Sequence, residues 1–248
     1  MKKYLSVLMI YVRSSIYKVL VLFAVMSAAQ TVMFLRMPEF KAMQAFDKMH
    51  KFTGIEELLQ ESGLFIVFGV AFVILTIILC YGGCEFSGKQ GYTLRRLRIT
   101  EKHVFLMQLS ANGVFYILFW FCEIVVIRAL MSLYLKYVPE AIYTNQMLTL
   151  SFYRNDFLSG LMPMSNLVCL VRNIIWVLAM AVTSAFFPYM QRRRKIALSL
   201  IIMVAIVLVG FVSGDDSGTQ SLSAVWAVMF IISAFWRVMR GECDEKEN

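Results

Sequence analysis

Six long apolar stretches divide the chain, separated by shorter polar segments. They run from Val19 to Leu35, Ser62 to Cys84, Val104 to Tyr134, Leu167 to Met190, Ile196 to Val212 and Leu222 to Trp236. A helix rises about 1.5 Å per residue, so about 20 residues cross a hydrocarbon core of roughly 30 Å. Each stretch meets or approaches that length, and the pattern predicts six membrane-spanning helices. The third exceeds one crossing, so it either projects beyond the bilayer or breaks near its outer end. Before Val19, the residues Tyr4, Leu5, Leu8, Met9 and Val12 recur at helical spacing against Lys2, Lys3 and Arg13. That pattern predicts an amphipathic interfacial helix over residues 1–18. Lys2 and Lys3, an apolar run and Ser27-Ala28-Ala29 also match the outline of a cleavable signal peptide. The amphipathic helix favours a retained first span.

Composition agrees with the pattern. Hydrophobic residues make up 60% of the 248 and charged residues 16%, with a mean hydropathy of +0.70. A soluble domain carries about 25% charge, and a disordered chain needs low hydrophobicity. Both classes are excluded. The net charge of +8 would suggest nucleic acid in a soluble protein. Here its distribution points to topology instead, and no nucleic-acid partner is expected. With the N-terminus inside, the inner segments hold Lys2, Lys3, Arg13, Lys18, Lys89, Arg95, Arg96, Arg98, Lys102, Arg192 to Lys195, Arg237, Arg240 and Lys246. The outer loops keep only Arg36, Lys41, Lys48, Lys51, Lys136 and Arg154. The bias places both termini in the cytoplasm of a multi-pass cell-membrane protein. The five cysteines avoid the two long outer loops, so no disulfide framework is expected. Cys80 and Cys84, one turn apart, read as small packing residues. With two histidines, a three-His metal site within one chain is impossible.

The outer loop over residues 37–61 repeats Met37, Phe40, Met43, Phe46, Met49 and Phe52 at every third position. A three-residue step drifts about 60° on a helix, so these side chains wind around it. The expected form is a broken interfacial hairpin; the alternative is a Met-rich lid over an exit path. The outer loop over 136–164 is aromatic and carries no motif. Asp215-Asp216, on the third outer turn, read as solvated.

The inner loop over residues 85–103 is the informative one. Gly88 and Gly91 permit sharp turns, and Tyr92 to Arg98 reads as a short amphipathic helix. Leu94 and Leu97 form its apolar side, while Arg95, Arg96 and Arg98 are exposed. Thr100 is placed to cap the next helix. Such a loop lies on anionic headgroups or docks a soluble partner.

An acidic residue leaving the second of six spans, Glu85, then a Gly, a Thr-Leu-Arg-Arg-Leu helix and a capped entry into the third span resemble the permease subunits of ABC-2-type ATP-binding cassette transporters. The interfacial helix and the six spans with both ends inside fit the same layout. The resemblance implies that Glu85, Gly88, Leu94, Arg95, Arg96, Leu97 and Arg98 form a coupling segment seated on a nucleotide-binding ATPase subunit. It implies ATP and Mg in that partner, none in this chain, and a second permease, identical or related. Export is the expected direction. The chain has no Walker A loop, Gly-x-Ser-x-Gly elbow or His-Glu-x-x-His helix, so it is not expected to be an enzyme. The other readings are a membrane scaffold or sensor docking a cytoplasmic protein, and more distantly a membrane enzyme.

Ionisable residues inside spans are costly and invite a functional reading. Glu123 and Arg128 lie on the third span and Arg172 on the fourth. Glu123 and Arg128 are about 140° apart around a helix, too far to pair. The expectation is that Glu123 neutralises Arg172 across two helices, or Arg128 of a neighbouring copy. The three serve either as interhelical and interfacial contacts or as a polar patch on a translocation path. Gln108 and Asn112, one turn apart, are placed to hydrogen-bond another helix.

Overall fold

The computed structural model describes residues 2–38, 40, 55–83, 100–136, 150, 154–161, 167–193, 195, 197–212 and 217–240. The described residues are helical, with no strand among them. The helices are α1 (Lys2–Arg36), α2 (Ile55–Glu61), α3 (Leu64–Gly83), α4 (Glu101–Leu135), α5 (Asp156–Leu161), α6 (Leu167–Arg192), α7 (Ser199–Val212) and α8 (Ser217–Arg240). Five of them, α1, α3, α4, α6 and α8, are long and apolar enough to cross a membrane. Their outward faces carry Val21, Val25, Ile66, Ile117, Phe121, Ile174 and Val225, all exposed. Aliphatic side chains on the outside and polar ones within suit a hydrocarbon solvent. This is the build of a multi-pass membrane protein.

Two boundaries differ from the expectation, and the third span follows one of its two alternatives. The segments expected as an interfacial helix and a first span form one uninterrupted helix from Lys2 to Arg36, with the apolar window beginning at Tyr11. Nothing from Lys2 to Arg36 breaks it, since the stretch contains neither Gly nor Pro. Pro38 lies two residues beyond the end of α1. The third span does not break either: α4 is a single helix of 35 residues, about 52 Å long, so it must project past a 30 Å core. The fifth apolar stretch is the shortest. α7 starts at Ser199 rather than Ile196 and has 14 residues, about 21 Å, which falls short of a straight crossing.

Local chemistry explains several helix ends. The Ser62 amide donates to the Leu58 carbonyl at 3.0 Å, closing α2. Gly63 then adopts φ +66°, a left-handed conformation that favours glycine, and lets α3 start in a new direction. Thr100 occupies the N-cap of α4 with extended backbone, and its carbonyl accepts from the His103 and Val104 amides. Its hydroxyl pairs with the His103 ring instead of a backbone N–H, so it caps by position and not by its side chain. Pro188 sits inside α6 and leaves the Ser184 carbonyl without its i+4 donor. The Cys80 thiol of α3 approaches that carbonyl at 3.8 Å.

α6 is the centre of the bundle, packing against α3, α4, α7 and α8, while α1 packs on α3 and α4. Its buried set includes Ala179, Ala181, Thr183, Ser184 and Ala185. Small side chains let helices approach closely where lipid supplies no hydrophobic drive between them. The contacts also fix helix direction. At one end, Tyr11 and Ser15 of α1 approach Gly82 of α3, and Gly83 approaches Pro188 of α6. There Phe105 of α4, Met190 of α6, Ala197 and Val238 of α8 share one cluster. At the other end, Trp120 of α4 reaches the Leu161 carbonyl of α5, and Cys169 of α6 reaches Gln220 of α8. The five long apolar helices and the shorter α7 therefore alternate in direction along the chain. Arg192, Arg193, Lys195, Arg237 and Arg240 gather at the first end.

Candidate functional site

Polar groups inside the bundle pair across helices, mostly near the basic end. The Tyr11 hydroxyl lies 2.7 Å from Asn112 Oδ1 and 2.9 Å from the Leu79 carbonyl, one proton facing two acceptors. Asn112 Nδ2 donates to Ser184 Oγ at 2.8 Å. One buried amide thus ties α1, α4 and α6 together beside the α3 backbone. One turn further, the Tyr116 hydroxyl donates to Thr76 Oγ1 at 3.1 Å. Arg192 Nη2 donates to Gln108 Oε1 at 3.4 Å. Gln108 and Asn112 thus make the interhelical bonds expected of them. Arg193 and Glu101 form an ion pair at 3.4 Å that links the same helix ends near the surface.

Beside this ladder a cavity of about 560 Å³ opens between α3 and α7. Val73, Thr76, Ile77, Cys80 and Tyr81 form one wall, and Leu200, Ile201 and Val204 the other. Phe187 and Gln191 of α6 form the floor. Ile77, Tyr81 and Ile201 are more than half exposed, so the groove opens sideways, to where lipid would lie. Its lining is aliphatic with a few hydroxyl, thiol and amide groups toward the basic end. That surface can hold an apolar chain or the face of another apolar helix.

The opposite end is built on aromatic packing. Phe68, Phe119, Trp120, Phe157, Trp176 and Phe211 interlock edge to face or tilted, most pairs between 5.2 and 6.1 Å. Arg172, 3% exposed, stacks on the Trp176 ring at 4.4 Å and donates to Asn173 Oδ1 at 3.2 Å. Asn173 Nδ2 donates to the Gly160 carbonyl at 2.8 Å, holding α5 against α6.

The intramembrane charges do not meet as expected. Glu123 is fully buried and accepts from Gln30 Nε2 of α1 at 2.7 Å, not from Arg172. Arg172 finds an aromatic face and an amide on its own helix. Arg128 is exposed on the outside of α4. The Glu123–Arg172 pair does not form: an amide meets Glu123, and a ring and an amide meet Arg172, all inside one chain. Glu85, Gly88, Leu94, Arg95, Arg96, Leu97 and Arg98 lie outside the described residues, as does most of the Met/Phe repeat. Of that repeat, Phe40 is buried and packs on Phe34 with centroids 5.0 Å apart. Among the described residues no three His, Cys, Asp or Glu side chains gather as metal ligands.

Gln30 and Tyr11 are the site residues that sequence reasoning missed. Gln30 was detectable as the lone amide in an apolar run. Tyr11 was hidden by its place in a stretch that reads as interfacial. No family model, curated protein or solved structure matches the chain.

Proposed function

We propose that the chain is the permease subunit of an ABC-2-type ATP-binding cassette exporter in the cell membrane. It crosses six times with both termini in the cytoplasm, and α7 makes the shortest crossing. The lateral groove between α3 and α7 carries this reading. It is an apolar surface adjoining the basic end, where the segment 85–103 joins α3 to α4. A second permease, identical or related, closes the groove into a path for an apolar substrate. Separate ATPase subunits supply the energy and hold ATP and Mg. The coupling residues Glu85, Gly88, Leu94, Arg95, Arg96, Leu97 and Arg98 contact them. The chain itself catalyses nothing.

The test is purification of the tagged full chain in mild detergent, followed by mass spectrometry and an ATPase assay. The expected result is a co-purifying nucleotide-binding subunit whose turnover depends on this chain. Reversing charge at Arg95, Arg96 and Arg98 together is expected to leave insertion intact and abolish that dependence. A chain that purifies alone without turnover, or unchanged turnover with all three reversed, would overturn the proposal in favour of a scaffold.

A further inference from the structure

The contact between α1 and α4 contains an unusual pair. Glu123 and Gln30 are both fully buried. Gln30 Nε2 donates to Glu123 Oε1 at 2.7 Å, yet Glu123 Oε2 and Gln30 Oε1 have no hydrogen-bond partner among the described residues. Two buried acceptor oxygens on touching side chains therefore share a lack of donors. Buried polar groups are normally satisfied, so two adjoining buried acceptors call for a donor between them.

The surroundings narrow what that donor is. On α1, Arg36 is exposed at the helix end. On α4, Arg128 is exposed, and Cys122 lies 4.0 Å from the Ser27 hydroxyl. α3 contains no acidic or basic residue. On α6, Arg172 is engaged with Trp176 and Asn173. No Lys or Arg forms an ion pair with Glu123 among the described residues, so an ionised carboxylate would stand uncompensated in an apolar interior. A metal ion is a poor fit. Hard cations take six or more oxygen ligands, and this site offers two unpartnered oxygens with no cluster of further acidic ligands among the described residues. One proton suffices: a neutral carboxylic acid gains an O–H donor for the carboxamide oxygen while still accepting the amide N–H. Rotating the Gln30 amide by 180° leads to the same place, because its oxygen would then face Glu123 Oε1 and again require a proton between them.

We propose that Glu123 and Gln30 form an intramembrane proton-binding site, a neutral acid–amide clasp that holds α1 against α4. Loss of the proton leaves a lone carboxylate and loosens that contact. The proposal stands independently of the permease reading.

The test is infrared spectroscopy of the full chain in lipid nanodiscs at neutral pH, with and without isotope-labelled glutamate. The expected spectrum has a protonated-carboxyl C=O band that shifts with the label and is wholly lost in Glu123→Gln. In Gln30→Leu the band should persist at higher frequency, because its hydrogen bond is gone. A wild-type spectrum without the band would overturn the proposal. So would a band that survives in Glu123→Gln or that Gln30→Leu does not move. If Glu123→Gln fails to fold, the wild-type spectrum and the Gln30→Leu shift still decide.

Discussion

Gly210 of α7 sits against the ring of Trp176, and the fit is close enough to test. A Cβ at this position would collide with Trp176 Cη2 and lie 2.6 Å from Cζ2. Carbon atoms rest about 3.5–4.0 Å apart, so Gly210→Ala forces a displacement of more than about 1 Å. The ring has little room to give it. Trp176 is 1% exposed, with Phe211 edge-on at 5.4 Å and the Arg172 guanidinium over it at 4.4 Å. Overpacking of this kind costs about 1–3 kcal/mol, and the better helix propensity of Ala returns up to about 1 kcal/mol. A collision this deep belongs in the upper part of that range, about 2–3 kcal/mol, so the expected net loss is about 1–2 kcal/mol, a factor of roughly 5–30 in the folded-to-unfolded ratio. Gly113→Ala is the control. Its Cβ would meet only Ala181 Cβ at 3.7 Å, an ordinary contact, so it should be neutral or slightly stabilising. Reversible unfolding in mixed detergent–SDS micelles reads both. Gly210→Ala combined with Trp176→Phe should cost less than the sum of the two, since the smaller ring vacates the contested space. Gly210→Ala as stable as Gly113→Ala, or strict additivity in the double variant, would refute the packing argument.

Two further outcomes are expected. Asn112→Leu removes the amide joining Tyr11 to Ser184 and should cost about 0.6–1.7 kcal/mol, the range for polar contacts inside membranes, with a double-mutant cycle against Tyr11→Phe showing a non-zero coupling energy. Ile201→Trp, on the exposed wall of the α3–α7 groove, should leave stability within about 0.5 kcal/mol while sharply reducing transport in a reconstituted assay; undiminished transport would remove the groove from the path.

The sequence announced the apolar segments well and their partners poorly, and the difference has physical causes. The charge-free stretch from Ser62 to Cys84 returns almost whole as α3, which Gly63 bounds at its start. α1 was read as two elements because its composition changes near Lys18. A change of solvent does not by itself break a helix, and the backbone from Lys2 to Arg36 has no reason to stop. α7 was read as beginning three residues early, since hydropathy counted Ile196 to Leu198 as part of the apolar run.

The same distinction governs the interior. Arg172 and Trp176 are one turn apart, so their contact was readable from spacing alone once an aromatic face was admitted as a partner for a guanidinium. Glu123 and Gln30 are 93 residues apart, and only the packing of α1 on α4 joins them. The notch at Gly210 was equally invisible, because it depends on which face α7 turns to α6. Pro188 shows how the local and tertiary levels meet. Its missing N–H is certain from the sequence, which frees the Ser184 carbonyl. Ser184 Oγ is also the acceptor for Asn112 Nδ2, so the backbone irregularity and the buried polar ladder fall on one residue. Helices α3, α4 and α6 are thereby held at the level where the Gly83–Pro188 approach is tightest, with a Cβ on Gly83 only 2.8 Å from Pro188 Cγ. A groove that opens beside this junction has its floor in α6, which packs on four other helices, and α7, the shorter apolar helix, is the less firmly packed of its two walls.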